Sequence, residues 1–139
     1  MNCPVCRKMM VILELDSVEI DYCTLCQGIW LDSGELELLL KNSDRRDDFL
    51  DMFQIETATG EKKRKCPVCR KKMNKLFLPD FEKDPVSRKE RVRIDGCPNQ
   101  HGIWFDRGEL EVILKRGGLQ QGDPVFIWLK DVFRTETME

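Results

Sequence analysis

Seven cysteines and one histidine hold the metal-binding chemistry of this 139-residue chain. Thiolates and imidazole nitrogens are the ligands of tetrahedral zinc. Cys3, Cys6, Cys23 and Cys26 form two C-x2-C pairs with 16 residues between them, a spacing at which two tight knuckles deliver four thiolates to one ion. Four such ligands leave no coordination position open. Tetrahedral sulfur also suits iron in a rubredoxin-like site; zinc is the expected ion.

Cys66, Cys69 and Cys97 begin a second set, and its fourth ligand has to come from Cys97-Pro98-Asn99-Gln100-His101-Gly102, which holds no second cysteine. His101 is the expected ligand. It falls one position beyond the cysteine it would replace, and the longer imidazole offsets the shift. Three thiolates and one imidazole make an accepted structural zinc site. The competing readings are a surface His101 beside an incomplete site, and ligands exchanged between the two sets in a cross-braced fold. Each set is complete at ribbon spacing, so sequential pairing is expected.

An odd cysteine count cannot close into disulfides within one chain, which argues against a secreted disulfide framework. No run of 18 apolar residues is present, so no membrane span is expected. With a cysteine already at residue 3, no signal peptide is expected before it. The expected compartment is the thiol-reducing cytoplasm.

Both ligand sets belong to an internal repeat. Cys3-Pro4-Val5-Cys6-Arg7-Lys8 recurs as Cys66-Pro67-Val68-Cys69-Arg70-Lys71, and the run from Gly28 to Glu37 recurs from Gly102 to Glu111. The span between the cysteine pairs grows from 16 residues to the 27 that separate Cys69 from Cys97. The added stretch around Pro79 to Lys89 is rich in turn formers and charge and reads as a longer hairpin loop. Met9 to Leu15 and Val18 to Tyr22, about a turn at Asp16-Ser17, read as strands; Lys75 to Leu78 and Arg91 to Asp95 are their counterparts.

A helix is expected after each second knuckle. Asp32 is its N-cap, Glu35 the capping-box partner, and Leu31 and Leu36 a hydrophobic staple; Asp106, Glu109, Phe105 and Leu110 repeat the pattern. Gly117-Gly118 ends the second helix. Asp123-Pro124 opens a C-terminal amphipathic helix over Val125 to Phe133, and Asp47 to Ile55 is its weaker equivalent. Trp30 and Trp104 are expected beneath the metal sites and against the helices. Gly28 and Gly102 are expected in backbone conformations that a side chain forbids. The fold class is therefore a small metal-stabilised α+β protein of two tandem ribbons. Residues 1–45 form ribbon and helix, 46–64 a short helix and linker, 65–118 the second ribbon and helix, and 119–139 the last helix. Units of this size need such a metal staple, because about 60 residues bury little apolar surface.

The pattern CPxC, two strands, then CxxC-G-I-W-L-D-x-G-E-L resembles the bacterial transcription-factor zinc-finger family, also called the TFIIB-type zinc-ribbon family. The match covers Cys3 to about Lys41 and Cys66 to about Lys115; the second copy departs from it in its longer hairpin and its C-x3-H ending. The resemblance implies a zinc-ribbon fold, and a shared name does not by itself establish transcriptional activity.

An enzyme is not expected, because catalytic zinc keeps a water position and these ligand sets are saturated. No catalytic residue, small-molecule substrate or membrane partner is assigned. Glu35 and Glu109 are explained by capping and the helix dipole, Glu37 and Glu111 by solvation.

The net charge of −2 divides unevenly: residues 1–60 carry 5 basic and 12 acidic residues, and residues 61–139 carry 18 and 13. In the second copy Lys62, Lys63, Arg64, Lys65, Arg70, Lys71, Lys72 and Lys75 crowd the first knuckle, and Arg88, Lys89, Arg91 and Arg93 follow on the hairpin. These are candidate nucleic-acid contacts. Part of that charge, with Arg7 and Lys8, offsets the metal sites themselves. Two zinc ions on seven thiolates lower the formal charge from −2 to about −5, unfavourable for nonspecific DNA binding. A macromolecular interaction or regulatory adaptor module is the favoured expectation, with protein partners or head-to-tail self-association. Phe126, Trp128 and Phe133 are candidate partner anchors, with intramolecular packing as their alternative role.

Overall fold

A computed structural model describes residues 1–15, 18–40, 53–56, 63–78, 92–116, 118–119, 122–127 and 129. The expected Asp16-Ser17 turn, the inserted loop from 79 to 91, and the segments 41–52 and 57–62 lie outside these residues.

Strand β1 (Val11–Leu15) and β2 (Val18–Tyr22) form the first hairpin, β3 (Ile29–Asp32) follows the second knuckle, and α1 (Glu35–Leu39) follows β3. Next come β4 (Gln54–Glu56), β5 (Asn74–Leu78), β6 (Val92–Gly96), β7 (Gly102–Phe105) and α2 (Glu109–Arg116). The hairpin strands agree with expectation. β3 and β7 were not foreseen, and they join the copies. They pair antiparallel with Trp30 opposite Trp104, which makes one seven-stranded sheet in the order β1-β2-β3-β7-β6-β5-β4.

Side chains alternate between the faces of a strand, and this alternation sorts the core into two layers. Ile29, Leu31 and Phe105 turn to one face. There they meet Leu36 and Leu39 of α1, Leu110, Ile113 and Leu114 of α2, and Val18, Ile20, Tyr22 and Ile94 of the hairpins. Trp30 and Trp104 turn to the other face, where Met10, Met73 and buried cysteines of both copies surround them. The tryptophans therefore lie beneath the metal sites, as expected, but on the face opposite the helices.

The helix starts keep half of the expected capping box. The Glu35 and Glu109 carboxylates accept the backbone N–H of Asp32 (3.2 Å) and Asp106 (3.1 Å). Asp32 makes no side-chain cap; Gly34, in a left-handed conformation, holds the cap position of α1. The Asp32 and Asp106 carboxylates instead accept the indole N–H of Trp30 and Trp104, at 2.9 and 3.1 Å. A buried indole needs an acceptor, and that need takes the aspartate from the helix.

α2 ends as expected. Gly118 (φ 89°) directs its N–H to the Lys115 carbonyl while Leu119 N–H reaches the Leu114 carbonyl, a Schellman closure with Leu119 and Leu114 both buried. Asp123 caps the start of the last helical segment through Val125 N–H at 3.0 Å, and residues 124–127 and 129 are helical. The weaker helix expected at Asp47 to Ile55 is corrected at its end: Gln54–Glu56 is strand β4, which pairs with β5 and forms the edge of the sheet. Its polar Glu56 is buried and its apolar Ile55 exposed, because Glu56 receives Arg93 Nε at 2.8 Å.

No helix among the described residues is long and apolar enough to cross a membrane.

Candidate metal centres

Both knuckles of the first copy are built by the backbone. Cys3 N–H bonds the Lys8 carbonyl and Arg7 N–H the Cys3 carbonyl; Cys23 N–H bonds the Gly28 carbonyl and Gln27 N–H the Cys23 carbonyl. Each turn needs one left-handed residue, supplied by Arg7 (φ 67°) and Gln27 (φ 62°). The N–H of Val5 and Cys26 then point at the sulfurs of Cys3 and Cys23, each at 3.3 Å. The second copy repeats the scheme with Arg70 (φ 63°) and with Val68 and Asn99 N–H at 3.4 Å from Cys66 and Cys97.

The C-x3-H ending is accommodated in the turn. Cys97 and Gly102 are spaced and bonded like Cys23 and Gly28, but the left-handed residue moves one place earlier, from Gln27's position to Gln100 (φ 60°). Gln100 N–H bonds the Cys97 carbonyl three residues back, where Gln27 reaches four back. The tighter turn presents the residue after the left-handed position in place of the one before it. His101 is that residue, and Ser33 of the first copy holds its carbonyl at 3.0 Å.

The ligand atoms of Cys3, Cys6, Cys23 and Cys26, and separately of Cys66, Cys69, Cys97 and His101, lie within 4.8 Å of one another. Pairing is sequential, and cross-bracing is not what the chain does. The Cys6 and Cys23 sulfurs are 3.5 Å apart, those of Cys69 and Cys97 3.6 Å, and Cys97 Sγ and His101 Nδ1 3.4 Å. Tetrahedral zinc, with bonds of about 2.3 Å to sulfur and 2.0–2.1 Å to nitrogen, places such atoms about 3.8 and 3.6 Å apart. The clusters fit two structural zinc sites, the first with four thiolates and the second with three thiolates and an imidazole.

The thiols are prepared unequally for metal. The Lys8 N–H draws Cys6 down to about 7, and the Lys71 N–H draws Cys69 down to about 6. Burial pushes Cys3 and Cys26 up, and Cys66 up to about 11. Zinc has to displace protons from the buried members, so loading releases protons.

The transcription factor zinc-finger family model matches residues 2–42 and 65–116, most of the chain and both copies. The chain belongs to that family. Each matched stretch of this tandem zinc-finger protein contains one full ligand set. No curated protein and no solved structure matches the chain.

Gly28 and Gly102 sit where the copies meet. Neither has a positive φ, so the expected backbone reason is corrected. A Cβ on Gly28 would overlap the Trp104 ring, and one on Gly102 would come within 2.6 Å of Trp30 Cζ2. Each tryptophan covers the glycine beside the other copy's second knuckle.

Beside the first knuckles of both copies opens a cleft of about 1520 Å³. Of the expected nucleic-acid contacts it gathers Lys63, Arg64, Lys65, Arg70, Lys75 and Arg93. It adds Arg7 and Arg107, which were not among them. Lys71 and Lys72 are exposed but do not line it, and Lys62, Arg88, Lys89 and Arg91 lie outside the described residues. Three of its cations have carboxylate partners. Arg64 Nη1 lies 2.6 Å from Asp106 and 3.3 Å from Asp95, Lys75 Nζ 2.7 Å from Asp95, and Arg93 Nε 2.8 Å from Glu56.

Of the expected partner anchors, Phe126 is buried in the helix-side core and offers no exposed surface, so its alternative, intramolecular role is the observed one. Trp128 and Phe133 lie outside the described side chains.

Proposed function

We propose that this protein is a non-enzymatic interaction module whose two zinc ions are structural and whose working surface is the basic cleft beside the first knuckles, taking an anionic macromolecule. The cleft carries the reading. Five of the eight cations that line it have no carboxylate partner among the described residues, in a chain whose net charge is −2. A patch so opposed to the net charge focuses a field that selects anionic partners.

Saturation of both metals by protein ligands supports the non-enzymatic reading, since no position is left for a reactive water. The seven cysteines and one histidine are all used as ligands, so no thiol or imidazole remains for nucleophilic or acid–base work. Cysteines kept as thiolate ligands and not paired in disulfides accord with a reducing, cytoplasmic setting, and the family's description as transcription factors accords with an anionic or nucleic-acid-containing assembly.

The test is retention of the zinc-loaded protein on immobilised heparin. Wild type is expected to bind at about 50 mM salt and elute as salt rises, and Arg7→Glu/Arg70→Glu, with its zinc intact, to pass through. Wild type in the flow-through would contradict the reading.

A further inference from the structure

The composition of the cleft narrows its occupant, and the following step rests on the anionic-partner reading above. Arg7, Lys63, Lys65, Arg70 and Arg107 are exposed and have no carboxylate partner among the described residues. Arg7 and Arg70 are equivalent in the repeat. Each occupies the left-handed position that closes a first knuckle, so two guanidinium groups start from backbone that the metal sites hold rigid.

Equally informative is what surrounds these cations. Among the described residues no aromatic side chain lines the cleft, and its non-cysteine apolar lining is Met1, Pro4, Val5, Pro67 and Val112. Tight protein partners take most of their energy from aromatic or large aliphatic anchors seated in pockets. Single-stranded nucleic acid is bound largely by stacking its bases on aromatic platforms. Neither mode finds its contacts among the described residues of the cleft. Guanidinium and ammonium groups spread along an open trough suit a regular row of phosphates, which such groups bind without reading bases.

We infer that the cleft binds the sugar-phosphate backbone of duplex nucleic acid, independently of base sequence. About four or five phosphates are neutralised, so log K falls against log salt with a slope near −4. The acidic remainder of the molecule keeps the association weak, in the range of about 10⁻⁴ to 10⁻⁶ M expected of nonspecific binding at physiological salt, and orients the duplex to this one face.

The experiment measures fluorescence anisotropy of the zinc-loaded full chain with three labelled probes. These are a DNA duplex two helical turns long, one of its single strands, and polyglutamate of similar charge. The expected results are tightest binding to the duplex, a slope near −4, and affinities within about threefold for duplexes of unrelated sequence. Arg7→Glu/Arg70→Glu should flatten the slope by about 2, in proportion to the lost phosphate contacts.

Arg7→Glu should weaken binding by about tenfold or more, and Lys8→Glu, the same charge change one residue outside the cleft, by less than about threefold. Each variant is required to hold its two zinc ions; where a reversal fails this, the neutral Arg7→Gln replaces it. Equal losses in Arg7→Glu and Lys8→Glu would overturn the assignment to the cleft. Tighter binding to the single strand would overturn the choice of duplex. Tighter binding to polyglutamate would overturn nucleic acid as the occupant while leaving the anionic-partner reading intact. Failure of all three probes to bind would overturn both.

Discussion

The two copies share knuckles, strands and a helix start, and they differ in how their acids are neutralised. In the second copy Asp95, which is 1% exposed, meets both Lys75 and Arg64, and Arg64 also reaches Asp106. In the first copy the equivalent acids are Asp21 and Asp32, paired to Trp30 in the same way. The register sets Ile12 opposite Asp21 where the second copy sets Lys75 opposite Asp95. Ile12 is exposed, and no ion pair to Asp21 forms among the described residues. Burial, and then Asp32, hold the Asp21 carboxyl above the usual range. A duplicated fold thus tolerates two solutions, one sealed by a buried charge network and one with a half-buried carboxyl that has no ion pair among the described residues. The second copy, flanked by β4, has taken on the larger electrostatic burden.

Removing the metals tests how separate the copies are. Because Cys3, Cys23, Cys66 and Cys97 share one core with both tryptophans, chelation is expected to unfold both copies in a single transition, seen together in far-ultraviolet circular dichroism and tryptophan fluorescence. Two resolved steps would show that the copies stand alone despite their common sheet.

The next largest effect separates the two acid sites. Asp95→Ala removes the carboxylate between Lys75 and Arg64 and should cost about 3 kcal/mol in denaturant unfolding of the zinc-loaded protein. Asp21→Ala should cost less than about 1 kcal/mol. Equal costs would erase the contrast.

Smaller still is the pH dependence of the helix-start glutamates. Burial, and then the neighbouring Asp32 or Asp106, push Glu35 and Glu109 from 4.5 up to about 7. The folded state therefore binds a proton more tightly than the unfolded chain. This contribution is fully present below about 4.5 and is lost as pH rises through about 7. Glu109→Gln should accordingly gain stability relative to wild type between pH 5 and 8, followed by thermal unfolding; an unchanged difference across that range would refute the shift. Zinc affinity runs the other way, falling as pH falls, because thiols must lose protons to bind.

The smallest effect comes from transplanting the network. Ile12→Lys gives the first copy the counterpart of Lys75, but at an exposed position, so the gain should stay below about 0.5 kcal/mol. A gain like the loss in Asp95→Ala would show that the first site is drier than its exposure indicates.

How far these features were legible before the structure depended on how local they are. The eight ligands, the hairpins and the Gly118 helix stop are written in short spacings, and His101 was identifiable because the chain has no other histidine. The one-residue shift at Gln100 was not, since it depends on which turn residue turns left-handed. The β3–β7 seam was hidden because Ile29-Trp30-Leu31 is too short to announce a strand, and nothing in it names Ile103-Trp104-Phe105 as its neighbour. The roles of Gly28 and Gly102 follow from that seam. The aspartates were misassigned as caps because the competing donor, an indole two residues earlier, points at them only once the strand is formed. Arg7 and Arg107 escaped notice as cleft residues because the cleft exists only where the copies pack.

Counting zinc by native mass spectrometry after exchange into dilute chelator, for wild type and His101→Ala, tests the central claim most directly. Eight ligands divided four and four predict two zinc ions in wild type and one in His101→Ala, held by Cys3, Cys6, Cys23 and Cys26. One zinc in wild type, iron in its place, or two zinc ions retained by His101→Ala would contradict it.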